Sequence, residues 1–123
     1  MPTPSTLLDL NTPGAVTLAD ATQFSTNGIV SRTLVSREGL RVTLFGFAAG
    51  QELTEHASSS RALIQILTGT SQWSVAGEPR TVRAGELLHL PPGTPHAVRA
   101  DEPFSMLLTL VREPAAGPLA TAS

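Results

Sequence analysis

From residue 29 onward, apolar and polar positions alternate in short stretches, and turn-forming residues cut the stretches apart. Residues 40–47 show the pattern best. In an extended chain Val42, Leu44 and Gly46 fall on one face, and Arg41, Thr43, Phe45 and Phe47 on the other. Residues 62–67 are apolar except for Gln65. Alternation there places Ala62, Ile64 and Ile66 on one face and Leu63, Gln65 and Leu67 on the other. Further strands are predicted over 29–35, where the alternation is imperfect, and over 72–75, 80–83, 86–90, 97–100 and 104–111. The breaks are Glu38-Gly39, Ala48-Ala49-Gly50, Ser58-Ser59-Ser60, Thr68-Gly69-Thr70 and Ala76-Gly77-Glu78-Pro79. Each is rich in residues that turn a chain or tolerate φ > 0.

Some eight short strands, turn signals about every 8–12 residues and no helical period argue an all-β fold, a sandwich or barrel. No segment repeats, and 123 residues suit a single domain with a core of its own. Residues 1–28, rich in Thr, Pro, Ser, Asn and Gly, read as an N-terminal arm with one short helical or strand piece over 16–24. Residues 29–113 are expected to form the β-domain, a sandwich or barrel. Residues 114–123 are a small-residue tail expected to be flexible.

Composition removes several chemistries. The net charge of −2 offers no electrostatic footprint for nucleic acid or an anionic membrane, so neither is expected as a partner. All eight basic residues are arginine, which excludes a Schiff-base or phosphate-loop lysine. The cysteine count of zero excludes disulfides, thiolate nucleophiles and thiolate metal ligands. The first residues have neither a basic nor an apolar segment of the kind that directs export, and no apolar run approaches the roughly 20 residues that span a bilayer. A cytoplasmic location is the expectation.

The candidate chemistry rests on histidine. A run of strand character, Gly85-Glu-Leu-Leu-His-Leu-Pro91, enters a Pro-Pro-Gly turn and ends at His96. Its spacing is G-x5-P-x-G-x2-H. Upstream, Gly50 precedes His56 at the spacing G-x5-H, and Gly69 closes that segment. Two imidazoles on neighbouring strands of a small β-structure can enter one cavity, and imidazole is the commonest metal ligand. If both ligate at about 2 Å, their nitrogens come within about 3–4 Å of each other.

These paired segments resemble the two motifs of the cupin superfamily, small antiparallel double-stranded β-helix (jelly-roll) barrels. The first family motif runs G-x5-H-x-H-x3-4-E-x6-G. Gly50, His56 and Gly69 match it, while its second histidine falls on Ser58 and its glutamate on Ala62. The second runs G-x5-P-x-G-x2-H-x3-N. Gly85, Pro91, Gly93 and His96 match, and the asparagine falls on Ala100. The resemblance covers residues 40–111. It implies a jelly-roll barrel with a pocket at one mouth and a divalent metal (Fe, Mn, Ni, Cu or Zn) held there. Of the ligands it implies, only His56 and His96 are present. Ser58 and Ala62 are expected to line the same cavity, with water, an anion or substrate completing any metal shell.

The remaining candidates each have two readings. His89 is a structural or interface residue, or a third ligand. Gln65 bonds across strands or at an interface, or reaches the pocket. Glu52, Glu55 and Arg61 form a solvated rim, or supply a general acid or base at the pocket mouth. Phe45, Phe47, Trp73 and Met106 are core or interface, or line the ligand site. Leu63, Leu67 and Trp73 are expected to be exposed in a monomer, which argues a homodimer. Two function classes follow. One is a metal-dependent dioxygenase, isomerase or lyase acting on a small organic molecule. The other is a non-catalytic barrel that binds or senses a small molecule without a stable metal. No helix-turn-helix pattern accompanies the barrel.

Overall fold

The computed structural model describes residues 8–114, and every expected strand is present with one more. After a single helical turn, α1 (Leu18–Ala21), the chain runs through β1 (Ile29–Arg37), β2 (Leu40–Phe47), β3 (Glu52–His56), β4 (Arg61–Thr68), β5 (Thr70–Val75), β6 (Glu78–Arg83), β7 (Leu87–Leu90), β8 (His96–Arg99) and β9 (Phe104–Val111). Two antiparallel sheets result, ordered β1-β2-β9-β4-β7 and β3-β8-β5-β6. From β2 to β5 and from β6 to β9 successive strands alternate between the sheets, as in a jelly-roll barrel. The imperfect alternation of β1 has a structural counterpart: its pairing with β2 shifts register between Thr33 and Val35. The β5–β6 turn is a tight Ala76-Gly77 pair, both with φ > 0, and Pro79 lies just beyond it on an edge strand.

On β2 and β4 the inward face is one of the two that the alternation separates. Ala62, Ile64 and Ile66 on β4 are buried with Leu88 and Leu90 on β7. Phe47 and Phe104 sit opposite one another on β2 and β9, and their rings stack at 4.4 Å with both side chains wholly buried. Burying each such ring contributes about 1.5–3 kcal/mol. This stack closes one end of the barrel. Further along β9, Leu108 and Leu110 are only half-buried, and the interior opens there.

A second apolar cluster lies on the outer face of the larger sheet. Leu34, Val42, Leu44, Leu67 and Leu107 are covered by Val16, Leu18 and Ala21 of the arm. Gly46 makes this docking fit, because a Cβ there would overlap the Gln23 carbonyl. The Arg32 guanidinium adds a hydrogen bond to the Ala21 carbonyl at 3.2 Å. The Val42-Leu44-Gly46 face is therefore the seat of the arm.

Two expectations change. Strand β3 is not apparent in the hydrophobic pattern because Leu53 is its one apolar residue, and the strand is exposed at a sheet edge. Trp73 is not an exposed dimer contact: it is 5% exposed, facing inward from β5 beside Ser71. Gln72 and Ser74 take the outer positions instead, so strand parity turns the indole into the barrel. Leu67 packs under the arm, and Leu63 is half-buried. The expected tail lies outside the described residues beyond Pro114.

Candidate functional site

Strands β3 and β8 pair antiparallel with His56 opposite His96, after a register shift between Leu53 and His56. Opposed residues share a face, and the two rings meet with centroids 4.3 Å apart at 58°. Each Nδ1 lies 2.8 Å from the carbonyl oxygen two residues earlier, that of Thr54 for His56 and of Thr94 for His96. A carbonyl only accepts, so both Nδ1 atoms carry the proton and donate. In the neutral ring each Nε2 is then left with a lone pair, and neither has a partner among the described residues. The acceptor is backbone in each case, so the side chain two residues upstream carries no sequence signal for this bond.

The Pro-Pro-Gly turn places His96. Gly93 adopts φ +83, its N–H donates to the Ser58 carbonyl at 2.7 Å, and the Thr94 hydroxyl donates to the Pro91 carbonyl at 2.8 Å. The turn before β8 is thus tied to the loop after β3, which brings Ser58 to the histidine pair.

Both imidazoles line a cavity of about 250 Å³ between the sheets. His96 is 8% exposed and His56 lies at the surface, so one ring is deep and the other at the mouth. Phe45, Ala62, Ile64 and Met106 form one wall, with Leu108 and Leu110 toward the opening; Leu53, Trp73 and Val98 form the other. The Trp73 indole N–H donates to the Ser71 hydroxyl at 2.7 Å, which itself donates to the Val82 carbonyl at 2.8 Å. Trp73 therefore offers the cavity only its apolar surface. Its ring centroid is 6.3 Å from that of His96. Among the described residues the polar side chains at this wall are the two histidines and Ser58, and no charged side chain lines it. A wider groove of about 500 Å³ runs between the arm and β1 and shares no residue with this cavity.

The other candidates go elsewhere. His89 is exposed on the face of β7 opposite Leu88 and Leu90. Its Nε2 accepts from the Arg61 guanidinium at 2.8 Å. Arg61 also donates to both carboxylate oxygens of Glu113, at 2.6 and 3.1 Å. Those hydrogen bonds hold the Glu113 carboxyl below its ordinary value of 4.5. Arg61 is accordingly a tether for the segment after β9. Gln65 is exposed on the outer face of β4, and Glu52 and Glu55 are exposed on β3, away from the cavity wall. Phe47 belongs to the core stack, whereas Phe45, Trp73 and Met106 line the cavity. Leu53, Leu108 and Leu110 complete the wall without having been singled out from the sequence. The inward parity of β9 was the signal for the last two.

Ser58 and Ala62 both line the cavity, at the positions where the metal-binding pattern has histidine and glutamate. Among the described residues no three His, Cys, Asp or Glu side chains converge. Zinc sites use three or four protein ligands. The donors present fall short of holding a resident metal by themselves.

Comparison with known proteins accords with this architecture. Residues 43–111 match the family model described as the cupin domain. A conserved protein of unknown function from Streptococcus pyogenes is 34% identical, with a TM-score of 0.77 over 83% of this chain and 90% of that one. A cupin 2 conserved barrel domain protein from Leptotrichia buccalis is 37% identical, with a TM-score of 0.72 over 76% of this chain and 45% of that one. A cupin superfamily protein from Desulfitobacterium hafniense shares the fold at 22% identity, with a TM-score of 0.77 over 83% of this chain and 94% of that one. No curated protein matches the chain.

Proposed function

The chain belongs to the cupin family, and from that premise we propose that it binds a small organic molecule inside the barrel, with His56 and His96 receiving the polar end. The observation that supports this reading most directly is the pairing of two imidazoles, tautomers set alike, at the end of an otherwise apolar cavity. The walls supply the hydrophobic contribution, and the few polar groups fix orientation, the usual division in small-molecule sites. Neither cysteine nor lysine occurs in the chain, and no carboxylate lines the cavity. Any acid–base chemistry on a bound molecule falls to the two imidazoles.

A second reading, a metal-assisted dioxygenase, isomerase or lyase, draws on the same two free Nε2 atoms. It needs ligands from outside the chain to fill the coordination shell. Elemental analysis of protein purified without chelator separates the two. The binding reading expects no stoichiometric Fe, Mn, Ni, Cu or Zn. It also expects fragment hits in ligand-observed NMR that disappear when His56 and His96 are both replaced by alanine. One equivalent of metal, lost in the same double variant, selects the second reading.

A further inference from the structure

We propose that the cavity selects ligands presenting N–H donors, in the form of a primary carboxamide on a compact apolar body, and rejects carboxylates of the same shape. The inference rests on the binding reading above and names the ligand class for that site.

The argument is a census of hydrogen-bonding capacity. With Nδ1 of each histidine donating to a backbone carbonyl at 2.8 Å, each Nε2 is an acceptor. The rings are adjacent, centroids 4.3 Å apart, and both line the same cavity, so the two acceptors border one end of it. A single NH2 group carries two donors that diverge from one nitrogen, which suits that arrangement. The third polar side chain is Ser58. Its oxygen accepts the Ser60 N–H at 3.0 Å, which leaves its proton to donate. Acceptor, acceptor and donor together complement the NH2 and C=O of a carboxamide.

The same census weighs against an anion. No arginine lines the cavity, the chain has no lysine, and the Trp73 N–H is already committed to Ser71. A carboxylate facing two neutral imidazoles would meet two lone pairs and apolar walls, and burying an unpaired charge is costly. It would enter only with a proton taken up by itself or by one of the imidazoles, so its affinity should fall as pH rises. The apolar body has Phe45, Ile64, Trp73 and Met106 to pack against.

Titration of the full chain, in EDTA, with benzamide, benzoate and ethylbenzene tests this by ¹⁵N-HSQC NMR. Benzamide is expected to bind tighter than either of the others by about tenfold or more, the difference made by pairing the buried His96 acceptor and the His56 acceptor at the mouth. In the His96→Phe variant, which keeps a ring, benzamide should fall to the affinity of ethylbenzene. Should that variant not fold, Ser58→Ala serves as the second probe, with benzamide weakened and ethylbenzene unchanged. Benzoate binding as tightly as benzamide overturns the ligand class while leaving the cavity a binding site. Ethylbenzene matching benzamide in the native chain overturns the role of the histidines. Benzamide binding that appears only when zinc replaces EDTA overturns the metal-free recognition. If none of the three probes shifts the spectrum, the binding reading fails and takes this inference with it.

Discussion

At the scale of single residues, the state of the two histidines is set by a local bond to a carbonyl two residues back. What the chain has around them is decided by Ser58 and Ala62, which occupy the cavity wall where further ligands would stand. Replacing them together, Ser58→His with Ala62→Glu, should supply the missing donors. Zinc titration is expected to show one tightly held equivalent in that variant and only weak binding in the native chain, because affinity rises with each added protein ligand. Equal zinc binding by both chains would contradict the account of the donor set. Trp73, the chain's single tryptophan, is a built-in reporter: it is buried in the cavity wall near His96. Its emission should be blue-shifted in the folded protein and should change on ligand entry, with no such change when a non-binding analogue is added.

At the scale of elements, glycine positions and one ion pair hold the parts in place. Gly69 joins β4 to β5 at φ +79, and a Cβ there would lie 2.5 Å from the Pro103 carbonyl oxygen and 2.9 Å from the Phe104 Cβ. Both the left-handed backbone and the close approach exclude a side chain. Gly69→Ala is expected to lower stability by about 2 kcal/mol or more, measured by urea denaturation. Gly46→Ala should act differently, since its Cβ would push on the Gln23 carbonyl of the arm. Limited proteolysis should then cut the arm sooner, while the barrel persists as a resistant fragment. The Arg61–Glu113 pair sets a pH dependence. The Arg61 hydrogen bond, aided by the guanidinium charge, lowers the Glu113 carboxyl below 4.5. A depressed acid stabilises the fold above its ordinary value and loses that contribution as pH falls through the lowered one. Side-chain NMR should find the Glu113 midpoint below 4.5, and Arg61→Ala should return it toward that value. The pair is exposed, so salt should weaken the effect.

At the scale of the whole molecule, stability and site occupy different parts of the barrel. The Phe47–Phe104 stack is wholly buried at one end, and the histidine cavity opens toward the other. Phe47→Ala should therefore cost about 3–5 kcal/mol in urea denaturation. The double replacement of His56 and His96 by alanine should cost less than that while abolishing ligand binding. A double variant as unstable as Phe47→Ala would show that the histidines belong to the structural core.

Much of this was legible along the chain. Strand periodicity sorted the two faces of β2 and β4, because each pleated strand carries its facing pattern in its own residues. The two glycine-histidine segments pointed to the family and to the residues that share a cavity. Tertiary structure alone decided the rest. Strand β3, with a single apolar side chain, exists because β8 supplies its hydrogen-bonding partner, and that pairing sets His56 opposite His96. The seat of the arm on Val42, Leu44 and Gly46, the inward turn of Trp73, and the tie from Arg61 to His89 and Glu113 join residues 11 to 52 positions apart or depend on a register set elsewhere. A periodic pattern reports what one strand wants on each face. Which segment meets that face is settled only when distant parts of the chain compete to bury it.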